Sequence, residues 1–269
     1  MPPSPDQDFR LFVDPLSPLH PTLTAALEEN GLADLGPAIL RVAREAVRIE
    51  STVPDDYSLS GCSRFGGFPD LPDAVSFPKS DDGRYWIFLA QLNLAELAGL
   101  NSYLPRSGLL SFFADSTETL NARVLYYAGD FQALKTVRHE GGDEMIWPGG
   151  DYTESPHRVE FRPYVSLPHE APAGIEGEDA DDAYETCRHF LEAGGHRLNG
   201  YPDTEFESPQ EQAADALGGQ PGEWVPLLRL EWDGNVGFCF ADAGILTFCI
   251  HQEDLRKADF SRVHLILEC

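Results

Sequence analysis

Arg64-Phe65-Gly66-Gly67-Phe68-Pro69-Asp70-Leu71-Pro72 is followed by Trp86-Ile87-Phe88-Leu89-Ala90-Gln91-Leu92-Asn93 and by Gly108-Leu109-Leu110-Ser111-Phe112-Phe113-Ala114-Asp115. In the first segment Gly66 and Gly67 admit positive φ, while Pro69 and Pro72 fix φ, so it reads as a rigid, shaped turn. Trp86–Leu92 is a near-continuous apolar run of strand length, the pattern of a strand buried on both faces. Asn93 is expected to cap a helix to about Leu100, with Leu94, Leu97 and Leu100 on one side. Pro105-Arg106-Ser107-Gly108 then turns the chain into a second apolar strand, Leu109–Ala114.

The same order of features returns further along. Gly67-Phe68-Pro69-Asp70 matches Gly200-Tyr201-Pro202-Asp203, and Trp86–Leu92 matches Trp224–Leu230. Gly108-Leu109-Leu110-Ser111-Phe112 matches Gly244-Ile245-Leu246-Thr247-Phe248, and Arg123-Val124 matches Arg262-Val263. The offsets between the pairs drift only by loop-sized amounts. Two copies of one turn–strand–strand–strand unit are expected, with repeat 1 at about residues 47–138 and repeat 2 at about 183–269. Each copy has too few strands to bury its own apolar runs, so the copies should share one core about an approximate two-fold axis. The fold class is therefore α+β: a mostly antiparallel β-sheet with a few short helices, internally duplicated into two pseudo-symmetric halves.

Outside this frame, residues 1–36 read as a proline-rich lead-in and a short helix to Asn30, with Gly31 beyond its end. Residues 37–269 read as a single domain. A strand is expected from about Val47 to Thr52. A helix from about Ala183 to Ala193 should bury Tyr184, Cys187 and Leu191, and another should run from Pro209 to Leu217. The alternation around Arg158–Pro163 suggests a half-buried strand, and Pro163 places it at an edge. Residues 139–156 and 168–182 are acidic, glycine-rich loops.

The chain carries 45 Asp and Glu against 19 Lys and Arg, a formal net charge of −26. Such a field opposes binding to nucleic acid or anionic lipid, both of which need phosphates neutralised by cations. It favours solubility and can steer a basic protein partner. No apolar run approaches a membrane span, and Met1-Pro2-Pro3-Ser4-Pro5-Asp6 lacks a secretory leader's basic and apolar regions, so a cytoplasmic protein is expected. The five cysteines are odd in number and no pair has Cys-x-x-Cys spacing, so neither a disulfide framework nor a zinc ribbon is indicated. No metal and no cofactor is expected.

No nucleophile elbow and no phosphate-binding loop is present. Cys62 and His196 lie beside the paired turns, where the fold would have to assemble any dyad. The candidate binding residues are polar groups next to buried strands: Asp70, Gln91, Asn93, Asp203 and Arg229. Asp70 and Asp203 hold equivalent places in the two copies. Each either caps its own turn or meets the other at the two-fold axis, where paired carboxylates would shift each other's pKa. Gln91 must satisfy its amide, either on neighbouring loop backbone or at the floor of a cleft between the copies. Gly66, Gly67, Pro69, Gly200 and Pro202 are structural turn residues. Arg123 and Arg262 are expected to pair with nearby carboxylates.

At these residues the chain resembles the bacterial YwqG-like proteins, a domain family of unknown function. Arg64–Pro72 resembles that family's (K/R)-F-G-G-x-P-x-L-P, and Phe88–Leu94 its F-L-A-Q-(I/L)-N-L. Pro105–Phe113 resembles P-x-x-G-x-L-x-F-F, His196–Asp203 resembles H-x-L-x-G-Y-P-D, and Glu253–Val263 the closing E-D-L-x-x-x-D-F-S-x-V. The resemblance covers about residues 37–269, and Asn199 departs from it, standing where a smaller or apolar residue is usual. It implies a compact, duplicated, mostly antiparallel α+β fold, and it supplies no reaction, cofactor or catalytic residue. It also implies an antitoxin- or immunity-type partner role. The function expected is a non-enzymatic protein- or peptide-binding module; the alternative is a small-molecule binder or enzyme with a cleft between the copies.

Overall fold

The computed structural model describes residues 9–80, 83–115, 120–138, 155–175, 177–192, 194–202, 207–241 and 244–268. The chain opens with α1 (His20–Glu29) and α2 (Gly36–Leu40) before β1 (Arg44–Pro54). The turn segment supplies β2 (Arg64–Phe65) and β3 (Asp70–Pro72), and the apolar runs form β4 (Ile87–Asn93) and β5 (Leu109–Ala114). After them come β6 (Ala122–Tyr127), β7 (Leu134–Thr136) and β8 (His157–Ser166). The rest is α3 (Glu178–Leu191), β9 (Arg197–Leu198), α4 (Pro209–Leu217), β10 (Trp224–Leu230), β11 (Ile245–His251), α5 (Gln252–Arg256) and β12 (Val263–Glu268).

Ten strands form one antiparallel sheet in the order β12-β11-β10-β9-β1-β8-β2-β4-β5-β6, while β3 and β7 pair separately. The sheet curls until its two edges, β6 and β12, approach each other, giving a nearly closed barrel. Tyr126 of β6 meets Phe260, just before β12, with ring centroids 5.5 Å apart. Inside, Val47, Phe65, Leu92, Leu110, Leu198, Leu228 and Leu246 belong to one apolar cluster. Phe112 and Phe248 meet edge to face within it at 5.3 Å. Residues from both ends of the chain thus fill one core, as near-continuous apolar strands require.

The outer faces are covered differently. Over β4 and β5, Phe68, Leu71 and Phe77 pack on Phe88 and Phe113. Over β10–β12, α4 sets Ala213 and Ala214 against Trp224, Cys249 and Ile266. Ser208 caps α4 and forms a reciprocal capping box with Glu211, and Pro209 stands in its first turn. At one end, α1, α2 and α3 bury Leu23, Leu27, Ile39, Tyr184 and Cys187 against Val165 and Leu167.

Several expectations are corrected. Residues 94–100 form turns rather than a helix. Their amides close i→i−3 turns, Glu96 to Asn93 at 3.0 Å, Ala98 to Ala95 at 3.3 Å and Leu100 to Leu97 at 3.0 Å, and Gly99 adopts φ 89°, outside helical geometry. The Asn93 side chain still accepts a local bond, from the Ala95 amide at 3.1 Å. β8 lies inside the sheet, not at its edge. Proline is tolerated because β1 pairs β8 along its length, whereas β2 pairs it only at His157 and Arg158, away from Pro163. Leu134–Thr136, as β7, pairs with β3 apart from the main sheet. The acidic loop at 139–154 lies outside the described residues.

Candidate functional site

Arg64 and Gln91 face each other in register on β2 and β4. Both are wholly buried, so each polar atom requires a partner. The Arg64 guanidinium forms ion pairs with Asp55 at 2.8 Å and Asp70 at 2.7 Å. Its remaining reach goes to the Phe68 carbonyl at 3.0 Å and the Cys62 sulfur at 3.6 Å. Its flat face lies 4.7 Å over the Tyr57 ring. Arg158 adds a second cation to Asp55 at 3.3 Å.

Asp70 is the hub. Its Oδ2 accepts from the Gly61 amide, Arg64 and Gln91 at 2.7–2.8 Å, and its Oδ1 accepts from the Thr136 hydroxyl at 2.8 Å. The Gln91 amide is used up as well. Its Oε1 accepts from the Asp70 amide at 2.8 Å, and its Nε2 donates to the Cys62 carbonyl and to Asp70, each at 2.8 Å. Gly66 and Gly67 have φ of 67° and 68°, and a Cβ on Gly67 would collide with Tyr57 and Pro156. Only glycine permits this turn, which carries Pro69 and delivers Asp70 to Arg64 and Gln91.

In the other half, Arg197 of β9 faces Arg229 of β10. Arg229 reaches Glu231 at 3.2 Å and Glu268 at 3.2 Å, and Arg197 reaches Glu231 at 3.5 Å. Thr247 completes Glu268 with a hydroxyl bond at 3.0 Å. Asn199 takes φ 54°, and its amide nitrogen donates to the carbonyls of Leu11 and Glu45 at 2.8 and 2.9 Å. The asparagine therefore ties the N-terminal segment to β1, which a smaller residue would not do. Gly200 lies against Arg197 and Tyr164, and Pro202 follows Tyr201. Asp203 lies outside the described residues, so its relation to Asp70 does too.

The Cys62 thiol donates to Asp55 at 3.5 Å, and burial pushes its pKa up. His196 accepts the Glu231 amide on Nδ1 at 3.0 Å, which leaves its proton on Nε2, facing Asp233 at 3.3 Å. Cys62 and His196 thus belong to separate networks and share no hydrogen bond. Burial opposes the charge on Asp233, yet hydrogen bonds from His196, Ser51 and the Asn235 amide hold its carboxyl well below the usual range. Cys249, like Cys62, has its thiol pKa raised by burial. Among the described residues no group of three or more His, Cys, Asp or Glu is placed to hold a metal, and no helix is long and apolar enough to cross a membrane.

Two elements of this arrangement escape the sequence reading. Asp55, the second carboxylate on Arg64, sits in a polar loop with nothing to distinguish it among 45 acidic residues. The signal for Arg64 was present: a cation leading straight into Phe-Gly-Gly on an apolar strand must find buried partners. Arg262 does pair, with Asp254 at 2.7 Å, but Arg123 lies 5.8 Å over the Trp86 ring with no carboxylate among the described residues.

A family model described as a domain of unknown function, DUF1963, matches residues 63–269. The match opens at β2 and leaves out β1, although β1 pairs both β8 and β9 at the centre of the sheet. No curated protein matches the chain.

Proposed function

The chain belongs to the DUF1963 family, and we propose that it is a non-enzymatic protein-binding module that receives a basic partner on its acidic surface. The observation that carries this is the outer stripe of α3. Tyr184, Cys187, Arg188 and Leu191 turn inward, while Asp179, Asp182 and Phe190 fall at helical spacing on the outer side. Phe190 is 66% exposed. Glu178, Asp181 and Glu185 flank the stripe. Carboxylates on the first turns and an exposed aromatic on the last suit a cationic, amphipathic segment laid along the helix, with charge steering the encounter and the ring supplying an anchor.

The free thiols of Cys62, Cys187, Cys239 and Cys249 agree with a reducing compartment, and we assign the encounter to the cytoplasm. The YwqG-like motifs favour an immunity-type role in which the bound partner is neutralised. We infer further that the halves are two copies of one unit. In its favour are the strand order, which reads alike outward from β1 and β8, and matching bulges at Phe88–Ala90 and Pro226–Leu228. Gly66 and Asn199 also share the left-handed conformation at matched positions.

The test is co-purification from the native cell at low salt, with the wild-type chain beside an Asp179→Lys/Asp182→Lys/Phe190→Ala variant. A partner retained by the wild type, released by salt and lost by the variant is expected. A partner indifferent to both salt and the variant would sink the proposal, as would its absence at low salt. One observation favours a second reading, a small-molecule site between the halves: a cleft of about 570 Å³ at the seam where β6 approaches Phe260 and Ser261.

A further inference from the structure

The seam cleft is lined by Lys79, Trp86, Arg123, Val124 and Phe260, among others, and its volume of about 570 Å³ falls in the usual range for small-ligand sites. Two cations line it. Lys79 Nζ lies 4.1 Å over the Tyr85 ring, and the Arg123 guanidinium lies 5.8 Å over Trp86. Among the described residues neither has a carboxylate within ion-pair distance, although acidic residues outnumber basic ones by 45 to 19. Arg262, matched in sequence to Arg123, has its Asp254.

Trp86 lines the cleft with its ring, its indole N–H being sealed from solvent. Asp115, the carboxylate on the cleft wall, is engaged by the Asn121 side-chain amide at 3.3 Å. Among the described residues the cleft therefore combines two cations without carboxylate partners and an aromatic wall. A cationic ligand would be repelled by Lys79 and Arg123. An anion answers both cations, and a flat body covers Trp86 and Phe260.

We propose that this cleft binds a small organic anion, a carboxylate or phosphate group carried on a flat apolar body. Lys79 and Arg123 hold the anionic group, and the Trp86 and Phe260 rings take the body. The proposal rests on reading the seam cleft as a small-molecule site.

Phenyl phosphate and benzoate serve as probes in titration calorimetry, with inorganic phosphate as the charge-only control and benzyl alcohol as the body-only control. At least one aromatic anion is expected to bind saturably and more tightly than either control. Lys79→Ala and Arg123→Ala should each weaken it by about tenfold or more. Trp86→Ala, which removes the stacking surface, should weaken it several-fold. Lys79 and Arg123 are exposed, so their variants should keep the wild-type melting temperature, which is measured alongside. If benzyl alcohol binds as well as the anions, or the alanine variants bind the anions undiminished, the anion assignment falls while the cleft remains a site. If none of the four compounds binds up to roughly 10 mM, the small-molecule reading falls with it.

Discussion

Arg64 and Arg197 each enter the sheet on a two-residue strand, yet they solve different problems. Arg64 faces a neutral partner, Gln91, and is neutralised by two buried carboxylates, Asp55 and Asp70. Arg197 faces a second arginine, Arg229, and the pair leans on Glu231 and Glu268, which keep 23% and 15% of their side-chain surface. The first arrangement is dry, closed and dense with bonds; the second borders water and spreads its charge. Removing one member should therefore hurt the first far more, because a buried charge left alone has no solvent to turn to.

The strongest way to break the contrast is Asp70→Ala. It strips one carboxylate from Arg64 and leaves Gln91, the Gly61 amide and Thr136 without their shared acceptor. A loss of about 3–5 kcal/mol is expected in denaturant unfolding, and a loss below about 1 kcal/mol would show the network to be dispensable. Arg229→Gln sharpens it by giving the second half the first half's residue. Glu231 keeps Arg197 and Glu268 keeps Thr247, so the expected loss is only about 1–2 kcal/mol by the same measurement. A loss equal to that of Asp70→Ala would erase the difference between the halves.

The smallest effect concerns pH. Asp233 has a folded pKa depressed below its ordinary 3.8, so its contribution is present above that value and lost as pH falls below it. Asp233→Asn should cost about 1 kcal/mol at neutral pH and flatten part of the acid fall in stability below about pH 4. Parallel stability–pH curves for the two proteins would contradict it.

Much of the architecture was legible because burial leaves a plain trace. The apolar runs of β4, β5, β10 and β11 stand in sequence as strands, and Ser208-Pro209 with Glu211 announces α4. The failures were of two kinds. Residues 94–100 have helical composition, but Gly99 sits at φ 89° and the segment closes on i→i−3 turn bonds, a local geometry that composition does not reveal. Pro163 suggested an edge because pattern reading cannot tell how far a neighbouring strand extends. For the candidate site, the sequence singles out Asp70 and Gln91, whereas Asp55 is invisible within a strongly acidic chain. Lys79, Trp86 and Arg123 were equally hidden as a group, since only the curling of the sheet brings β6 to the Phe260 corner.

That curling also bears on how the chain stays dispersed. Among the described residues β6 pairs with β5 alone and β12 with β11 alone, so each has an outer backbone edge that no other described strand covers. An open ten-stranded sheet would present two such edges, each a template for strands of another molecule. Here each edge is turned toward the other, with Tyr126 against Phe260 bracing the approach. The seam is a guard against self-association, and loosening it, as Phe260→Ala would, should appear as aggregation on mild heating before any loss of the core.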